Sequence, residues 1–149
     1  MKKIINAQNG SLEFEKDDDV EIFRCYLNAK NVWVFVGEEH QRFKILKYDH
    51  IVAMHIFGKN TIASPQIILN CRLQSLDNGT FTSASNVCYD LNALTMQGLA
   101  DINFLLTSDQ IKNLLTDQFD NSLLQLRIDS TSVFTGYLYI NVYIKRNAR

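Results

Sequence analysis

Short runs of alternating apolar and polar residues dominate the chain. The clearest run is 66–75, in which Ile67, Leu69, Cys71 and Leu73 fall on one side and Gln66, Asn70, Arg72 and Gln74 on the other, with Ile68 the one exception. A period of two is typical of a strand with one buried face. Similar runs indicate further strands at 12–15, 20–27, 32–36, 42–48, 51–57, 80–83, 101–106, 122–129 and 132–145.

The turns between these runs predict two hairpins, and one segment predicts a helix. Residues 32–48 form a hairpin with a longer loop, and Asp77-Asn78-Gly79 closes a second one because Asn and Gly tolerate positive φ. Thr107 caps a helix over 108–119, whose apolar residues recur at helical spacing: Ile111, Leu114, Leu115 and Phe119. Many short strands with one helix predict a mainly β fold, an antiparallel β-sandwich, with a jelly-roll-like version or a small barrel left open.

Length and composition fit a single β-rich domain over residues 1–149. Five basic residues lie near the two ends and could contact phosphates: Lys2, Lys3, Lys145, Arg146 and Arg149. The net charge is −1, and so few basic residues on a neutral body argue against nucleic acid as a partner. No apolar run approaches the roughly 20 residues of a membrane span, and the first residues lack the apolar stretch of a signal peptide. Three cysteines without CxxC spacing predict reduced thiols and a cytoplasmic site of synthesis.

Candidate chemistry is sparse. His50 and His55 are five residues apart and face opposite sides of a strand, so they do not form a metal pair. The acidic run 13–21 lacks the glycine of an EF-hand loop. Cys25 and Cys71 lie in apolar strands, which leaves Cys88 as the cysteine to test for reactivity. We predict no catalytic residue, no cofactor and no metal, and therefore no enzyme; a site assembled from distant residues is the alternative.

The last strand carries the most informative surface. One face is apolar: Phe134, Gly136, Leu138, Ile140, Val142 and Ile144. The opposite face holds Tyr137, Tyr139 and Tyr143, and tyrosine is enriched where proteins meet. Trp33 and Phe35 form a second aromatic face on the strand 32–36. These five residues are the predicted interface, the alternative being that the tyrosines pack under the helix 108–119.

The leading hypothesis is a non-catalytic structural subunit of a larger assembly. It is a small virion protein of a bacteriophage or another virus, capsid- or tail-associated and assembled in the host cytoplasm. Its partners are other protein subunits, either copies of itself or other virion components, with no membrane contact. The alternative is a carbohydrate- or peptide-binding β-sandwich, for which Trp33, Tyr137 and Tyr139 form a stacking platform.

Overall fold

A computed structural model describes residues 2–7, 10–15, 20–38, 41–42, 44–46, 50–60, 67–81, 85–88, 101–107, 121–130 and 136–145. These ranges contain thirteen strands: β1 Lys2–Ala7, β2 Gly10–Glu15, β3 Val20–Leu27, β4 Val34–Phe35, β5 Gly37–Glu38, β6 Gln41–Arg42, β7 Lys44–Leu46, β8 His50–Asn60, β9 Ile67–Ser75, β10 Ser85–Cys88, β11 Asp101–Thr107, β12 Asn121–Ser130 and β13 Gly136–Lys145. The predicted helix 108–119 lies outside the described residues. No helix within the described ranges has the length and apolarity needed to cross a membrane.

Two antiparallel sheets build the body of the molecule. The front sheet has the order β11-β8-β13-β3. The back sheet has the order β10-β9-β12, and both β4 and β7 pair with the other edge of β12. All pairings between these strands are antiparallel, so the prediction of an antiparallel, mainly β fold is confirmed.

The inner faces of the two sheets share one apolar core. The front sheet contributes Cys25, Leu27, Met54, Ile56, Phe104, Leu106, Leu138, Ile140, Val142 and Ile144, and the back sheet contributes Leu69, Cys71, Leu73, Leu124, Leu126 and Ile128, all of them buried. Each large aliphatic side chain buried in this way contributes about 1.5–3 kcal/mol to folding. A single core between two sheets is the arrangement of a β-sandwich.

Strands β1 and β2 form a separate two-stranded hairpin, in which Ile5 lies opposite Leu12 and Lys3 opposite Phe14. Its inward residues pack on the outer face of the front sheet rather than on the central core. The sequence pattern predicted β2 from residue 12 but no strand at β1. Lys2 and Lys3 interrupt the apolar run there, and of the residues of β1 only Ile5 is buried.

The predicted hairpin at 32–48 is wrong in its pairing. Strands β4 and β7 both pair with β12, and the hairpin that does form is the short pair β5–β6. Residue periodicity identifies a strand but not its partner, and β12 offers a longer apolar edge than either short strand. The turn after β9 is as predicted, with Gly79 at φ 76° and its amide donating to the Ser75 carbonyl over 2.9 Å.

Candidate interface on the outer face of the front sheet

One half of the front sheet's outer face is covered by the chain's own N-terminal hairpin. Tyr143, Ala53 and Leu105 are buried there beneath Ile5, which belongs to β1. The Tyr143 ring packs edge-on against Phe14 of β2, with 5.9 Å between the ring centroids, and is only 5% exposed. Burial raises the pKa of the Tyr143 phenol, against the smaller opposing effects of a hydrogen bond with Asn141 and the positive charge of Arg24. We call this region the covered half.

A polar row crosses the middle of the same face. Asn141 on β13 lies between Arg24 on β3 and His55 on β8. The Arg24 Nε donates to the Asn141 Oδ1 over 3.1 Å, and the His55 Nε2 lies 2.6 Å from the Asn103 Oδ1. These groups find hydrogen-bond partners within the sheet, so the row marks the limit of the apolar cover.

Beyond the polar row lies a cluster of aromatic rings that we call the aromatic patch, formed by Tyr26, Phe57, Tyr137 and Tyr139. Tyr139 is its centre because it lies opposite Tyr26 on β3 and opposite Phe57 on β8. The centroid of its ring is 4.8 Å from that of Tyr26, 5.5 Å from that of Phe57 and 5.6 Å from that of Tyr137. Tyr26 is 45% exposed, and the other three rings are half-buried.

The aromatic patch therefore presents apolar ring surface together with tyrosine hydroxyls. Contacts among four rings fix their positions, so little side-chain entropy is left to lose when a partner binds. Arg24 lies at the border of the patch, with its guanidinium carbon 5.9 Å from the centre of the Tyr139 ring. None of the four residues of the patch carries a charge at neutral pH.

The other two predicted interface residues lie on the opposite side of the molecule. Trp33 and Phe35 belong to the outer face of the back sheet, where Phe35 is opposite Gln125 of β12. The Trp33 ring contacts the guanidinium groups of Arg72 and Arg127, whose carbons are 4.3 and 4.4 Å from its centre. The structure thus separates Trp33 from Tyr137 and Tyr139, and the three rings do not form one stacking platform.

The structure divides the predicted tyrosine face into two parts. Tyr137 and Tyr139 lie in the aromatic patch, whereas Tyr143 is covered by β1 and β2. The sequence did not identify Tyr26 and Phe57 as members of the surface, because each is brought to Tyr139 by strand pairing over a long sequence separation. The only available signal was that Tyr26 alternates with the apolar residues Cys25 and Leu27.

The buried cysteines lack the environment of a nucleophile. Burial raises the pKa of the Cys25 and Cys71 thiols to about 12, so both stay protonated at neutral pH. The structure does not describe the side chains of Cys88 and His50. Within the described part of the chain, no group of three or more His, Cys, Asp or Glu side chains is placed to hold a metal ion.

Comparison with known proteins yields distant structural similarities only. No family model matches the chain, and no curated protein matches it. A solved structure of the infectious bursal disease virus VP2 subviral particle is 12% identical, with a TM-score of 0.34, and the match covers 93% of this chain and 40% of that one. The Gt strain structure of the same virus is 11% identical, with a TM-score of 0.32, over 95% and 41%. This chain thus spans about 40% of the length of the chains it matches.

Proposed function

We propose that this chain is a non-catalytic structural subunit of a larger assembly, a small virion protein of a bacteriophage or another virus, and that its aromatic patch binds a neighbouring copy of the chain. The observation that carries the proposal is the contrast within one sheet face. Where the hairpin covers the face, Tyr143 is buried, and where it does not, four rings stay accessible. Clustered apolar rings of this kind are typical of protein contact sites.

The composition of the patch supports a contact between like surfaces. A two-fold contact places the same residues of both copies against each other, so charged residues at its centre would repel. The four patch residues are uncharged, and Arg24 lies only at the border. Two patches therefore meet without like-charge repulsion at the centre. Tyrosine hydroxyls at the rim then bond to water or to the partner.

The second part of the proposal is that the assembly in which this contact forms is a virion. It draws on the β-rich pattern, the basic residues near both ends and the scarcity of catalytic motifs in the sequence. Synthesis in a host cytoplasm is compatible with the cysteines described, since the buried Cys25 and Cys71 are free thiols. In a virion the chain would form part of the particle and bind neighbouring subunits, and it would not catalyse a reaction.

The test is sedimentation velocity from low micromolar to near-millimolar concentration, with negative-stain microscopy of the concentrated sample. We expect concentration-dependent association into discrete oligomers or closed particles. Tyr139→Lys, which introduces a charge at the centre of the patch, should weaken association at least about tenfold. Leu76→Lys is the matched control, because Leu76 is 40% exposed but lies in the turn after β9. It should leave the dissociation constant unchanged.

Two results would contradict the proposal. One is a protein that stays monomeric over the whole concentration range. The other is equal weakening by both lysine variants, which would show that association does not use the patch. Far-ultraviolet circular dichroism and urea unfolding of each variant establish that the fold is retained, which is expected because both replaced side chains are at least partly accessible.

A carbohydrate- or peptide-binding module is the second candidate, favoured by the exposure of Tyr26 beside Tyr139. A sugar ring stacks on an accessible aromatic face, and the tyrosine hydroxyls supply hydrogen bonds. A glycan and peptide array distinguishes it from self-association. Saturable binding by a monomeric protein, lost in Tyr26→Ala, would support this candidate in place of the first.

A further inference from the structure

The outer face of the back sheet carries an arginine held against two aromatic rings. The guanidinium carbon of Arg72, on β9, is 4.3 Å from the centre of the Trp33 ring and 3.9 Å from that of the Phe81 ring. Phe81 is 45% exposed, so its ring stays near the surface while it packs on the cation. Guanidinium groups stack on aromatic faces because they are planar, delocalised and weakly hydrated.

A third contact fixes the direction in which this arginine points. Its Nε donates to the Oε1 of Gln125 on β12, directly across the strand pair, over 2.6 Å. Arg72 makes no other hydrogen bond or ion pair with the described residues. Among the described residues, its two terminal NH₂ groups therefore have no acceptor, and Trp33, Phe81 and Gln125 set the rotamer of the group that carries this fork of donors.

The neighbouring Arg127 is paired with a carboxylate. The Nη2 of Arg127 donates to the Oδ2 of Asp129 over 2.9 Å, and its Nε lies 2.7 Å from the Oδ1. Asn70 also donates to the Asp129 carboxylate. The charge of Arg127 is thus balanced within the sheet, whereas no described carboxylate pairs with Arg72. Burial and, second, the positive charge of Arg127 lower the pKa of Arg72.

We propose that the terminal NH₂ groups of Arg72 bind a single carboxylate of a partner protein, either an Asp or Glu side chain or a C-terminal carboxylate. The fork matches the two oxygens of a carboxylate, and the bound anion would balance the one unpaired charge among these groups. This site lies on the opposite outer face from the aromatic patch, so it does not depend on the contact proposed there.

The number of cations favours one carboxylate over nucleic acid. A nucleic-acid surface needs several basic side chains aligned along the phosphates. Here Arg127 is already paired and Asp129 places a negative charge beside it, so of these two arginines only Arg72 lacks a carboxylate among the described residues. A single planar anion satisfies that group, and a polyanion would meet Asp129.

The experiment uses Trp33, the one tryptophan of the chain, as the reporter. Its fluorescence and the Nε–Hε resonance of Arg72 are followed at constant ionic strength during titration with three probes. The probes are a capped Gly-Glu-Gly peptide, an acetylated Gly-Gly-Gly peptide with a free C-terminus, and inorganic phosphate. We expect saturable changes with one of the two peptides at millimolar concentration, and which peptide responds identifies the source of the carboxylate.

Three variants give the proposal its controls. Arg72→Lys keeps the charge but loses the planar fork, and should weaken peptide binding at least about fivefold. Phe81→Leu removes one exposed ring and should weaken it about two- to fourfold. Arg24→Lys, on the other outer face, should leave the titration unchanged.

The outcomes separate cleanly. Saturable binding that is weakened at least about fivefold in Arg72→Lys and unchanged in Arg24→Lys supports the site. No saturable response to either peptide overturns it, as does an equal response in Arg72→Lys. A saturable response to phosphate without one to either peptide would overturn the carboxylate in favour of a phosphate ligand.

Discussion

The two halves of the front sheet's outer face use the same strands and reach different states. Tyr139 and Tyr143 lie four residues apart on β13 and point to the same side of the sheet. Tyr143 is buried under β1 and β2, whereas Tyr139 is half-buried among rings that remain accessible. The difference arises from a distant segment that covers one residue and not the other.

The boundary between the halves has a physical cause. Asn141, Arg24 and His55 lie in the middle of the face and are engaged in hydrogen bonds there. Apolar cover extending over them would remove polar groups from water, at a cost of roughly 1–3 kcal/mol for each one left unpaired. The hairpin therefore covers the apolar end only, and the aromatic patch is left for a partner.

Alkaline pH should unfold both halves together and so abolish the difference between them, because the sheet that carries both packs on one core. Cys25 and Cys71 lie in that core, and burial raises the pKa of each thiol to about 12, from an ordinary value of 9.0. Above pH 9 the unfolded chain releases both protons while the folded protein keeps them. The free energy of unfolding should then fall by roughly 3 kcal/mol per pH unit between pH 9 and pH 12. Urea unfolding at half-unit intervals measures the slope.

A single cysteine substitution tests the origin of that slope. In a Cys88→Ser background, which removes the third thiol from the titration, Cys25→Ala should halve the cysteine contribution to the slope, because one buried thiol remains instead of two. The free energy of unfolding at pH 7 is the reference, since both thiols are protonated there in both states. A slope that is the same with and without Cys25 would show that the thiols do not cause the alkaline loss.

Removing one tyrosine from each half should separate them most directly. Tyr143→Ala leaves a cavity between β13 and the hairpin and should cost about 3 kcal/mol of unfolding free energy. Tyr139→Ala removes a ring that is partly accessible, and should cost about 1 kcal/mol or less. Equilibrium urea unfolding of both variants at pH 7 measures the pair. Equal costs would mean that the covered half is no more tightly packed than the patch.

Much of the fold was predictable from residue alternation. The strand at β3, the inward stripe Leu69, Cys71 and Leu73, and the buried stripe of β13 all follow from a period of two. Pairing was less predictable, because apolar alternation states which side a residue faces and not which strand lies beside it. The segments that became β4 and β7 were therefore paired with each other in the prediction, although both pair with β12.

The site was predictable in part for the same reason. Tyr137 and Tyr139 were identified from their own strand, since alternation against a clean apolar stripe places them outward. Tyr26 and Phe57 were missed because their contact with Tyr139 depends on the register of two other strands. The cover over Tyr143 was missed because β1 has a weak apolar pattern, in which Ile5 is the one buried side chain.

The smallest expected effect concerns the ring that closes the covered half. Phe14→Leu keeps an apolar side chain on β2 but removes the edge-on contact with Tyr143, and should cost about 1 kcal/mol. It should also move the raised pKa of Tyr143 down towards its ordinary value of 10.0, because water then reaches the phenol. Glu13→Gln is the control, since Glu13 lies on the same strand with its side chain exposed and paired with Lys2 at 3.8 Å.

The ionisation of Tyr143 must be measured before the protein unfolds at alkaline pH. A stopped-flow jump to pH 10–12 reads tyrosinate absorbance in the folded protein within milliseconds, and comparison with Tyr143→Phe identifies the contribution of Tyr143. The sign follows from the raised pKa: the cover on Tyr143 contributes stability below pH 10, and that contribution is lost as the pH rises above it. Phe14→Leu should make this loss smaller, whereas Glu13→Gln should not change it. If Tyr143 titrates at its ordinary pKa of 10.0, the hairpin does not exclude water from the phenol and the covered half is not sealed.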